Sequence, residues 1–112
     1  MPSSTIRNDN LTASTKTANI LSGDINEFVP VRAMVSVYAI TSASGVRMTV
    51  LAGSDVAVDD KEIGSIGTSL IMPDNLVDQF AVSGGTRLAI TLRETAAAAT
   101  TDVITRVDVQ PF

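Results

Sequence analysis

The 112 residues contain no cysteine, no histidine and no tryptophan, and the aromatic content is three Phe and one Tyr. Without Cys there is no disulfide framework, no thiolate metal site and no thiol nucleophile. Without His the usual proton shuttle near neutral pH is missing, so acid-base chemistry would fall to carboxylates, Tyr38 or Lys. Serines are plentiful, but none has a neighbouring base in a Ser-x-x-Lys arrangement. These absences predict a protein that is not an enzyme and that carries no cofactor and no metal. No apolar run approaches the roughly 18 residues of a membrane span, and no basic start precedes a short apolar segment, so no membrane association is expected. Basic residues are also scarce, at 8 Lys and Arg against 12 Asp and Glu, a net charge of -4. Binding to nucleic acid, which requires neutralised phosphates, is therefore not expected.

What remains is aliphatic. Hydrophobic residues make up 45% of the chain and aromatics only 4%, so a core must be filled by Val, Ile, Leu, Ala and Met, whose branched members favour strands. Val29 to Thr41 alternates an apolar row (Val29, Val31, Ala33, Val35, Val37, Ala39) with a mixed row (Pro30, Arg32, Met34, Ser36, Tyr38, Ile40). Alternate strand residues face opposite ways, which predicts a long strand with one dry face. Further strands are predicted over Lys16 to Leu21, Val46 to Leu51, Asp55 to Val58, Gln79 to Val82, Thr86 to Glu94 and Asp102 to Gln110. Asp59 to Glu62 reads as a charged loop, Ile63 to Ile71 as an irregular edge, and Pro73-Asp74-Asn75 as a turn able to cap one helical turn through Val77.

The expected fold is all-β: a single-domain antiparallel β-sandwich, jelly-roll-like, over residues 16–112, preceded by an extended N-terminal arm over 1–15. Two topologies are open for its end. If the last two strands form a hairpin, Arg93 faces Asp102 and Arg87 faces Asp108, while Leu92 meets Val103 and Leu88 meets Val107. In a jelly roll these strands lie in opposite sheets and the pairing does not form.

The acidic group Asp55, Asp59, Asp60 and Glu62 could wrap a calcium ion, but its spacing matches no calcium-binding loop and a solvated turn is the simpler reading. The Gly64 to Gly67 and Gly84-Gly85 pieces are turns, since no Lys-Ser or Lys-Thr follows. Tyr38 is the fairest candidate for a sugar-binding aromatic. The better candidates for function are contact residues: Arg32, Met34, Tyr38 and Ile40 on the mixed face of the long strand, too apolar for solvent and too polar for a core. Ile6, Arg7 and Leu11 of the arm join them, as side chains suited to gripping a neighbouring subunit.

From Pro73 to Phe112 the order is a Pro-Asp-Asn turn, a short strand, Gly-Gly-Thr-Arg-Leu-Ala-Ile-Thr-Leu-Arg, an Ala/Thr loop, and Val-Ile-Thr-Arg-Val-Asp-Val. This last third of the chain resembles the small jelly-roll capsid and head-decoration proteins of tailed bacteriophages. The resemblance implies a structural virion protein at the capsid surface that decorates or cements the shell. It further implies capsid protein or copies of itself as partners, a homo-oligomer with a trimer favoured, and an arm reaching a neighbour. A carbohydrate- or cell-surface-binding module of a fibre or spike, and a tail or filament subunit, are the alternatives.

Overall fold

A computed structural model describes residues 3–8, 17, 19–21, 23, 27–43, 45–63, 66–67, 76–95 and 101–111. Eight strands are present among them: β1 (Ser3–Asn8), β2 (Phe28–Val29), β3 (Ala33–Thr41), β4 (Val46–Ala52), β5 (Asp55–Glu62), β6 (Leu76–Val82), β7 (Thr86–Glu94) and β8 (Val103–Pro111). They form two four-stranded antiparallel sheets, ordered β1-β8-β3-β6 and β2-β7-β4-β5. Only β4 and β5 are sequence neighbours within one sheet; every other connection crosses the sandwich. This is the double-sheet jelly roll, and β7 and β8 lie in opposite sheets, which excludes the alternative hairpin.

The inward rows follow the period-two pattern of the sequence. Val35 and Val37 of β3, Val103 and Val107 of β8, Met48 of β4 and Leu92 of β7 are all fully buried. Ile6 of β1, Val77 and Phe80 of β6 and Ala57 of β5 pack around this centre.

Four local expectations are corrected. The long strand is not continuous from Val29: β2 ends there, the chain bends through Val31 and Arg32, and β3 begins in the other sheet at Ala33. Pro30 supplies the reason, since it lacks an N–H for a ladder and fixes its own φ. Val31 is left 47% exposed at this corner. Thr17, Asn19, Ile20 and Leu21 are not strand residues; Thr17 N–H donates to Leu92 O at 2.7 Å and Ile20 N–H to Ile90 O at 2.8 Å, while the Thr17 and Asn19 side chains accept from Leu92 and Ile90 N–H at 3.0 and 2.9 Å. Two short polar side chains thus stand in for a partner strand along β7. Asp59–Glu62 belongs to β5, whose ladder with β4 shifts register twice and holds Asp60 at φ +49°. Leu76 and Val77 are strand residues of β6, not helix.

Tight turns close the narrow end. Gly53, at φ +63°, opens the two-residue connection between β4 and β5. Gly85, at φ +81°, ends the β6–β7 turn and donates to Val29 O at 2.7 Å, tying this turn to β2. A methyl group at Gly85 meets nothing within 4 Å, so its cost is backbone strain alone. Urea denaturation of Gly85→Ala is expected to show a loss of about 1 kcal/mol, against about 2–5 kcal/mol for Leu92→Ala in the core.

Candidate functional site

The two outward faces of the sandwich offer different chemistry. On the first sheet the strand register sets Thr5 of β1, Arg106 of β8, Tyr38 of β3 and Leu76 of β6 in one row across all four strands. Adjacent rows place Ser36 between Asp108 and Gln79, and Met34 between Gln110 and Ala81. Arg106 Nε donates to Asp108 Oδ1 at 2.8 Å and Gln79 Nε2 to Ser36 Oγ at 2.9 Å, so the polar groups in these rows satisfy one another. Met34 and Tyr38 are half-buried and Leu76 is exposed. The result is a surface that mixes apolar side chains with self-paired polar ones.

Of the residues expected to make contacts, Met34 and Tyr38 lie together on this face. Arg32 is exposed, but at the corner before β3. Ile40 is buried because Gly67 lies over it: a methyl at Gly67 would stand 3.0 Å from Ile40 Cδ1, and Gly67 N–H donates to Thr41 O at 3.0 Å. Ile6 points inward onto the core. Arg7 sits in β1 with its Cα opposite that of Ile104. Leu11, with residues 9–15 of the expected arm, lies outside the described residues. Ser3–Asn8 is an edge strand of the chain's own sheet, paired with β8 from Asp108 to Val103.

The second sheet's outward face runs from apolar to charged. Near the narrow end stand Phe28, 58% exposed opposite Arg87, and Val56, 56% exposed opposite Leu51. Phe28 is the exposed aromatic that alternation missed; the only sequence signal was its place just before the Val29-Pro30 corner. Glu27 beside it accepts from Arg87 Nε at 2.9 Å and from Gly23 N–H at 3.0 Å. These two bonds, the backbone one foremost, hold its carboxyl below the usual range.

At the other end Arg47 and Arg93 face each other directly on β4 and β7. Like charges so placed repel. Asp60 answers both: it accepts from Arg93 through both carboxylate oxygens and from Arg47 Nε through its carbonyl at 2.8 Å and Oδ2 at 3.2 Å. Its N–H donates to Thr49 Oγ1 at 3.2 Å. The left-handed backbone at Asp60 is what turns the carboxylate over the sheet. The Arg93 hydrogen bond is the main cause that lowers the Asp60 pKa, and Asp60 in turn raises that of Arg93. Asp55, Asp59 and Glu62 are exposed, as a solvated group would be, but they lie on a strand and not in a loop, and the central carboxylate of Asp60 is taken by two guanidiniums. Beside it, a cleft of about 440 Å³ opens between β5 and β6, bridged by Lys61 Nζ donating to Val77 O at 3.1 Å.

No protein-family model and no curated protein matches the chain. Among solved structures it is similar to a chain of the Bacillus endospore appendages, described as a novel family of disulfide-linked pili, at 16% identity over 99% of this chain and 88% of that one, with a TM-score of 0.34.

Because the folded-state pKa of Asp60 is depressed, its contribution to stability is present above the unfolded carboxylate range, near pH 4, and is lost as pH falls through the folded value. Asp60→Asn, which tolerates the left-handed backbone, is expected to lower the melting temperature at pH 7 and to leave a shallower decline between pH 5 and pH 2 than in the native chain. Calorimetric scans across that range check both.

Proposed function

We propose that this chain is a structural subunit that works through protein–protein contact, and that it decorates or cements a phage capsid as a symmetric oligomer. The observation that carries the reading is the outward face of the first sheet. Met34 stands on one side, and Tyr38 with Leu76 on the other, of the row Asp108–Ser36–Gln79, whose polar groups are already hydrogen-bonded, Ser36 by Gln79 and Asp108 by Arg106. Partly exposed apolar side chains interspersed with polar groups that already satisfy one another suit a contact patch, because docking against them strands few unpaired groups. A sheet face is also rigid, so little order is lost when a partner covers it.

The resemblance of the last third of the sequence to head-decoration proteins supplies the particular setting, a capsid surface with capsid protein or further copies as the partner. The negative net charge fits a protein that meets other proteins and not packaged nucleic acid.

Size-exclusion chromatography with light scattering on the untagged protein is expected to give a mass that is a multiple of 11.7 kDa, three being the favoured multiple. Met34→Asp with Tyr38→Asp is expected to lower that multiple without altering the β circular-dichroism spectrum. A single-chain mass for the native protein, together with no binding to capsids, would overturn the reading.

A further inference from the structure

The first sheet is completed by a strand that is weakly owned. Among the described residues β1 borders β8 and no other strand, so its departure breaks a single ladder. Five of its six residues are polar, and Ile6 is its packed apolar anchor. The slot it fills is demanding by contrast. Val103, Thr105 and Val107 of β8 are completely buried, and without a neighbour along residues 103–108 the backbone groups of that edge would lie open, a template for any extended chain.

The tether is longer than its task. The chain is fixed again at Thr17 and Asn19, hydrogen-bonded to Leu92 and Ile90 on the other sheet. Packed sheets stand about 10 Å apart, whereas the eight residues 9–16 can reach roughly 28 Å when extended. That reach exceeds the 21 Å shortest dimension of the molecule, which leaves slack for the strand to leave its own sheet.

We propose that β1 is exchanged between copies: Ser3–Asn8 of one chain occupies the edge of β8 in the next, with the same antiparallel register. Every β1–β8 hydrogen bond is kept in the exchange, and only the chain that supplies it changes, which makes exchange a low-cost way to link subunits. The partner is a second copy of this chain, and the site is incomplete without a strand in it. This proposal rests on the assembly reading above and adds to it the segment that ties copies together.

Since the chain has no cysteine, introduced thiols report the strand's owner without background. Thr5 and Arg106 are register partners, and such Cα pairs lie about 4.5–5.5 Å apart, within disulfide range. Chains carrying Thr5→Cys alone are mixed with chains carrying Arg106→Cys alone, denatured, refolded together and oxidised with copper-phenanthroline. Exchange predicts a covalent species of two chains that joins one of each variant, identified by peptide mass after denaturing electrophoresis. The double variant, refolded and oxidised the same way, is expected to yield linked chains in preference to internally closed monomers. Absence of the mixed disulfide, or a double variant that closes only within single chains, overturns the exchange. Light scattering of the same samples keeps the two ideas separate: assemblies without inter-chain disulfides leave the structural-subunit reading standing and remove the exchange alone.

Discussion

The structure depends on one contact above the rest: the inward rows of β3 and β8 pressed against those of β4 and β7. These four are the central strands of the two sheets, and most of the fully buried residues lie on them, with Leu21 and Val29 added from outside. With no tryptophan and no large aromatic at its centre, the interface is filled by Val, Leu, Ile and Met. Such side chains gain stability only when the two sheets interleave closely. Because all but one connection crosses between sheets, no pair of consecutive strands other than β4–β5 can form alone and keep its native partners. The core and the topology meet in one packing layer.

That layer was legible in the sequence wherever alternation was regular. Val103, Val107 and Val109 of β8, Leu88, Ile90 and Leu92 of β7 and the apolar row of β3 are inward as their spacing requires. What alternation could not show is where a strand changes sheets. Val29 and Val31 continue the pattern of Ala33, yet Pro30 interrupts the ladder and sends them to the other side of the corner. The Thr17 and Asn19 contacts are invisible for a related reason. Their side chains imitate backbone acceptors, and a short polar stretch carries no period from which that can be read.

The candidate site was legible in part. Met34 and Tyr38 share the outward face that their parity implies, but parity does not reveal what lies over a face, and Gly67 covers Ile40 because it has no side chain to hold it away. The charged residues of β5 misled for a different reason. Four acids in eight positions resemble a solvated loop until the facing pair Arg47 and Arg93 is known, and that pair comes together only through the β4–β7 register. Long-range electrostatics of this kind becomes readable once the neighbours of each strand are known.

The place of β8 carries a consequence for how the molecule comes into being. This strand sits between β1 and β3, yet it is the last of the eight to be synthesised. Until it emerges, the first sheet lacks its middle, and the earliest strand made has nothing to lie against. Closure is therefore a late, non-local event, of the sort that slows folding. In a polysome making many copies at once, each waiting leading strand spends that interval beside the emerging tails of its siblings.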